Sequence, residues 1–193
     1  MGYNFFSLLA RMKFIRRWGL MRNTMAENIS EHSQMVAMLA FSLAVIERDI
    51  FGREIDPHRL SSLGIFHDVP EILTGDLPTP IKYFNPELQT AYKDIEASSA
   101  RKLLSFLPTA LQPGFQPLLF PETEFSELEL SICKAADKLS AYIKCQEELN
   151  AGNREFRKAK KQTLQALQAC RLPSVDYFIK HFLPGFELSL DEM

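Results

Sequence analysis

Four helix starts are written into this chain, and almost nothing in it is written for a sheet. Asn28 stands three residues ahead of Glu31, the spacing of a capping box in which each side chain covers a backbone N–H of the other's turn. Asp56-Pro57 and Asn85-Pro86 each place a capping residue before a proline suited to the first helical turn, and Ser126 is followed by Glu129. Against these, there is no Asn-Gly or Asp-Gly hairpin turn, and valine occurs only four times. The apolar residues keep a helical beat. Phe5, Leu8, Leu9 and Met12 fall at i, i+3, i+4 and i+7, and Met35, Met38, Leu39 and Leu43 follow the Asn28 start. The helix opened at Ser126 is expected to stop at Gly152, with further helices over roughly 153–171 and 174–183. Prolines cluster at 70–86 and 108–121, which read as loops. The expectation is an all-α chain, one compact domain over residues 1–193 built of about seven to nine helices.

Composition narrows the function classes. At 193 residues the chain can bury a real core, and its net charge of −2 provides no global field for a nucleic acid polymer or an anionic membrane. An anionic ligand would need a local basic cluster. Cys133, Cys145 and Cys170 are odd in number and form no CxxC, so neither a disulfide framework nor a thiolate zinc site follows, and a reducing compartment is expected. Arg11 and Lys13 interrupt the first apolar stretch before a signal-like core develops, and Phe6 stands where myristoylation wants Ser or Thr. The uncharged run from His32 to Ile46 is short and polar for a membrane span. A cytoplasmic protein is expected.

Chemistry concentrates in His32, His67, Asp68 and Asp137. Two imidazoles and two carboxylates form a mixed nitrogen/oxygen set suited to a divalent metal with open water positions. Proline removes a backbone donor and restricts the residue before it, so the helix carrying His67 should end near Pro70. Neighbours on a regular helix diverge by about 100°, and a fraying last turn relaxes that divergence, letting His67 and Asp68 aim at one centre.

The order His32 … His67-Asp68 … Asp137 resembles the H…HD…D pattern of the HD-domain metal-dependent phosphohydrolases. Longer blocks resemble the bacterial HD-domain 5′-deoxynucleotidases: RRWGLMRN at 16–23, ENISEHS at 27–33, HDVPEILTGDLPTPIKYF at 67–84, KAADKLSAYIKCQEELNAGN at 134–153 and FELSLDE at 186–192. The resemblance implies a mainly helical, homodimeric HD-domain enzyme that hydrolyses deoxyribonucleoside 5′-monophosphates to nucleoside and phosphate. It makes His32, His67, Asp68 and Asp137 the ligands of one divalent ion per subunit, cobalt or manganese in first place, with magnesium or zinc also admissible. It makes Glu71 the acid/base residue, with Asp68 beside it in catalysis. Arg17, Trp18, Asp76, Leu77, Pro78 and Thr79 become substrate contacts, together with His32, Asp68 and Asp137 on the metal.

The residues themselves leave alternatives open. A divalent ion, two carboxylates and two neutral imidazoles sum to zero charge, so Arg17 would supply the positive charge for a phosphate; it could equally be the basic face of an amphipathic helix. Trp18 could exclude a 2′-hydroxyl by steric conflict or be a core aromatic. Glu71, four residues after His67, could orient water or carry a proton to the leaving oxygen. Asp76 could accept from the sugar or serve the turn begun by Gly75. His58, nine residues before His67, points to the opposite side of a shared helix, and His181 sits among aromatics; both are left out of the site. Two other readings remain: an HD-fold phosphodiesterase or triphosphatase, and a helical interaction module without activity.

Overall fold

The computed structural model describes residues 3–82 and 84–192, with Thr79 and Pro80 described in backbone only. Ten α-helices occur among the described residues: α1 Phe5–Leu9, α2 Ile29–Asp49, α3 Pro57–Phe66, α4 Glu71–Thr74, α5 Thr79–Lys82, α6 Pro86–Ser105, α7 Gln112–Leu119, α8 Glu127–Asn150, α9 Arg157–Ala169 and α10 Pro173–His181. Seven of them have eight or more residues, matching the expected number of substantial helices. The only β-type pairing among the described residues is an isolated bridge between Arg16 and Asn28.

Asn28, Asp56 and Asn85 act as the expected caps. Asn28 Oδ1 accepts from the N–H groups of Ser30 and Glu31, and Glu31 Oε2 accepts from the Asn28 N–H at 3.2 Å. Asp56 accepts from the His58 N–H, and Asn85 accepts from the Leu88 N–H at 2.7 Å. Each cap satisfies donors that the first helical turn leaves without a partner.

Contacts divide the chain into two units. The first takes the residues up to Arg22, Ala26–Ser33 and Ile65–Ser126. Its core gathers Phe5, Met12, Ile29, Val69, Ala100, Leu103, Leu107 and Leu119, with Phe66 and Phe115 packed against it. The Phe115 ring meets Phe5 edge-on at 5.0 Å and Phe66 at 5.7 Å. Two expectations are corrected here. The first helix does not run on to Met12 but stops at Leu9, and a 3-10 turn Met12–Phe14 carries Met12 into the core. The chain then extends so that Ile15 O accepts from the Ile29 N–H and the Arg17 N–H donates to Glu27 O, a long-range pairing that a continued helix would forbid. The 108–121 stretch is not a loop, because α7 forms there despite its prolines. Pro113 lies in the first turn, where its missing N–H costs nothing, and Pro117 removes a single bond within a helix whose Phe115 and Leu119 face the core. Likewise 70–86 carries the short helices α4 and α5 on either side of Gly75–Pro78.

The second unit takes Asn23–Met25, Gln34–Gly64 and the chain from Glu127 onward. Gly64 on α3 meets α2 so closely that a Cβ there would lie 2.7 Å from Ala37 Cα and 2.9 Å from Ala37 N. Both atoms are backbone, so neither can rotate away. Gly64→Ala should therefore destabilise by about 1–3 kcal/mol, as overpacking does. Each kcal/mol lowers the thermal midpoint by about 2–4 °C for a chain of this size, and an unchanged midpoint would contradict the close crossing. Within this unit Glu148 on α8 accepts from the Lys144 ammonium, from Thr24 N and Oγ1, and from Asn153 Nδ2. Burial opposes the charge on Glu148, yet these donors hold its carboxyl well below the ordinary range. The loop at Thr24–Met25 is thereby pinned to α8, since Lys144 also donates to Met25 O.

The uncharged run from His32 proves to be part of a 21-residue helix, and α2 is long and apolar enough to cross a membrane by length and composition alone. Its apolar window is 56% buried inside the protein and the helix buries His32 and Glu47, which is the pattern of a core helix.

Candidate metal centre and active site

Every residue expected at the site, Asp137 excepted, belongs to the first unit. His32 is fully buried in the opening turn of α2, its backbone N–H donating to Asn28 O. The cap at Asn28 thus sets where the imidazole stands. α3 ends at Phe66, and His67–Pro70 form a turn before α4. Tight three-residue bonds replace the helical ladder: the Val69 N–H donates to Phe66 O and the Glu71 N–H to Asp68 O. Pro70, with no N–H of its own, suits such a turn. His67 and Asp68 thus stand in a turn and not on a regular helix, as expected of a helix that ends at a His-Asp pair.

The convergence is on one oxygen. Asp68 Oδ2 lies 3.2 Å from His67 Nε2, 3.5 Å from His32 Nε2 and 3.4 Å from the Arg17 guanidinium. The two imidazole centroids are 5.3 Å apart, and the three ligand atoms lie within 4.8 Å of one another. Donor bonds of about 2.1 Å place neighbouring ligand atoms about 3.0 Å apart in octahedral and about 3.4 Å apart in tetrahedral geometry. The observed nitrogen–oxygen distances of 3.2 and 3.5 Å bracket the tetrahedral value, so the three residues could hold a single divalent cation. Burial alone would raise the Asp68 carboxyl, but His67, His32 and Arg17 outweigh it and hold Asp68 ionised well below the usual range. Asp137 sits half-buried on α8 in the second unit, directly after the buried Ala135 and Ala136.

Glu71 opens α4 and is only 6% exposed. Its Oε2 is buried with no hydrogen-bond partner among the described residues, and the carboxyl is pushed up to about 9, first by burial and then by the charges of Asp68 and Asp76. At neutral pH Glu71 therefore holds a proton that an ordinary glutamate would have lost. Asp76 follows Gly75, whose φ of 74° turns the chain out of α4. Burial raises the Asp76 carboxyl, with Arg17 and Asp68 pulling in opposite directions, so Asp76 shares the field of the site. Leu77 and Pro78 are half-buried in the same loop, whereas the side chain expected to contact substrate at Thr79 lies outside the described residues.

The plainer readings of Arg17 and Trp18 do not hold. Arg17 lies in the extended segment and not on a helix face, and Trp18 is half-buried, outside the core cluster. Both donate to Glu27 Oε2, Trp18 through Nε1 at 2.8 Å and Arg17 through Nε at 3.1 Å. Glu27 was not singled out from the sequence. Its signals there are its place beside the capping residue Asn28 and at the head of the ENISEHS block. Lys82, another residue not foreseen, pairs with Glu96 at 3.0 Å and lies over the Tyr92 ring. His58 and His181 are exposed against Phe41 and Tyr177, in keeping with their exclusion from the site.

A family model described as 5′-deoxynucleotidase YfbR-like matches residues 4–186. The chain belongs to this YfbR-like 5′-deoxynucleotidase family. A 5′-deoxynucleotidase from Vibrio vulnificus is 50% identical over 98% of this chain and 97% of its own length. In structure, an HD-domain phosphohydrolase from Listeria innocua aligns with a TM-score of 0.84 at 28% identity, covering 96% of this chain and 90% of that one. The cyanophage S-2L HD phosphohydrolase, solved with dA and one catalytic zinc ion, aligns with a TM-score of 0.70 at 20% identity over 94% and 95%, a likeness of fold. The expected all-α HD-domain architecture is thereby confirmed, and the family member is a hydrolase.

Proposed function

We propose that the chain hydrolyses deoxyribonucleoside 5′-monophosphates to deoxyribonucleoside and phosphate, using one divalent ion held by His32, His67, Asp68 and Asp137. The observation that carries the metal site is the single Asp68 oxygen ringed by two imidazole nitrogens and a guanidinium. Bound there, a divalent ion supplies coordinated water with a pKa lowered towards about 7–9 and polarises a phosphoryl oxygen. Arg17, held by Glu27 and beside the Asp68 oxygen, brings a guanidinium charge that a phosphate dianion can pair with. Glu71 gives its proton to the leaving 5′ oxygen; its buried, raised carboxyl supports this role over that of orienting water. Trp18 and Asp76 bound the sugar, with Leu77, Pro78 and Thr79 completing the contact. The reading extends to a cytoplasmic homodimer working with cobalt or manganese.

Phosphate release from paired deoxy and ribo monophosphates against cobalt, manganese, magnesium and zinc tests this. Deoxy monophosphates should be the better substrates. Pyrophosphate or triphosphate release would overturn the reading, and inactivity with every metal would leave a helical interaction module instead. Trp18→Ala should lower the deoxy:ribo ratio of kcat/KM by about 10–100-fold, the scale on which a pocket discriminates one hydroxyl. An unaltered ratio would remove Trp18 from the sugar site.

A further inference from the structure

Glu27 ties the two proposed substrate contacts to each other. Its Oε2 accepts from Trp18 Nε1 at 2.8 Å and from Arg17 Nε at 3.1 Å, and its backbone carbonyl accepts from the Arg17 N–H at 3.0 Å. The carboxylate is only 14% exposed, so these bonds are shielded from water. Trp18 holds φ at 58°, a conformation that residues with side chains rarely adopt unless their surroundings impose it. The Arg17 guanidinium is planar, and Glu27 on Nε with Asp68 on the other side fixes that plane at two points. An indole N–H can only donate, so the ring stays where an acceptor holds it.

We propose that Glu27 is a positioning residue for deoxyribose selectivity, locking the Trp18 indole and the Arg17 guanidinium into one rigid unit so that sugar and phosphate are read at a fixed separation. This rests on the substrate roles given above to Arg17 and Trp18. Glu27 touches neither substrate nor reacting atoms; it acts through its neighbours. Their displacement by an ångström can cost on the order of 100-fold in a well-aligned site.

Trp18 is the single tryptophan, so its emission reports its own surroundings in the intact protein. In Glu27→Ala the emission should shift to longer wavelength and become more open to acrylamide quenching. The deoxy:ribo ratio of kcat/KM should fall by about 10-fold or more, chiefly through a higher KM for the deoxy substrate. Glu27→Gln keeps an acceptor oxygen within reach of the indole and should restore the emission and most of the ratio. It also serves if the alanine variant fails to fold: wild-type emission and selectivity with a raised KM for monophosphates supports the lock. Equal loss toward deoxy and ribo substrates in Glu27→Ala, with the ratio unchanged, would overturn the selectivity role, as would a ratio that falls in Glu27→Gln while its emission stays that of the wild type. Unchanged emission in Glu27→Ala would overturn the anchoring itself. If Trp18→Ala and Glu27→Ala both keep the ratio while Glu27→Ala shifts the emission, the fault lies with the sugar-site reading of Trp18, and the anchoring stands.

Discussion

Asp68→Ala is expected to lower phosphate release from a deoxyribonucleoside 5′-monophosphate by more than about 10³-fold, beyond the 10–100-fold typical when a residue merely supporting a metal ligand is lost. The reason is the number of partners on one oxygen: His32, His67 and Arg17 all converge on Asp68 Oδ2. Its removal takes the carboxylate from between two imidazoles and a guanidinium, so a ligand oxygen is lost and the Arg17 charge beside the site opposes a cation. Metal content after dialysis should fall with activity. Asp137→Ala should act in the same direction if Asp137 completes the ligand set, and unchanged turnover would remove it from that set. Full activity in Asp68→Ala would sink the metal centre as described.

Glu71→Gln is expected to separate chemistry from metal retention. Turnover should fall by about 10²–10⁴-fold, the contribution of a positioned proton donor, with metal content unchanged. Parallel loss of both would contradict the role. The raised carboxyl also makes a stability prediction for the metal-free protein. The group loses its proton near 4.5 ordinarily and near 9 when folded, so the folded state holds the extra proton between those values. Stability from this group is complete below about 4.5 and drains away as pH rises towards 9. The chelator-treated wild type should therefore lose thermal midpoint between pH 6 and 9 more steeply than chelator-treated Glu71→Gln. By pH 8.5 the variant should be ahead by at least about 1 kcal/mol, or about 2–4 °C. Parallel pH curves would show that Glu71 titrates normally.

Much of the helical framework was legible because helix starts are local events. Asn28, Asp56 and Asn85 each cap with bonds that span two or three residues, so the chain carries the whole instruction in a few positions. The His67-Asp68 turn was legible for the same reason, since a proline two residues on limits how the helix can end. What failed was periodicity taken alone. Met12 keeps the helical spacing of Phe5 yet reaches the core from a 3-10 turn, because the extended segment behind it pairs with Glu27–Ile29. Met38 keeps the spacing of the α2 core and stands 50% exposed.

By itself, then, the amino-acid order determined the all-α class, the main helix starts, the break at the His-Asp pair and the inventory of metal-type ligands. Tertiary structure alone decided that one Asp68 oxygen meets two imidazoles and Arg17, that Glu27 accepts from both Arg17 and Trp18, and that burial raises the Glu71 carboxyl. Caps and turns depend on neighbours a few bonds away. A side chain's burial, its charge state and its partners 51 positions distant, as for Arg17 and Asp68, depend on what the rest of the chain packs around it.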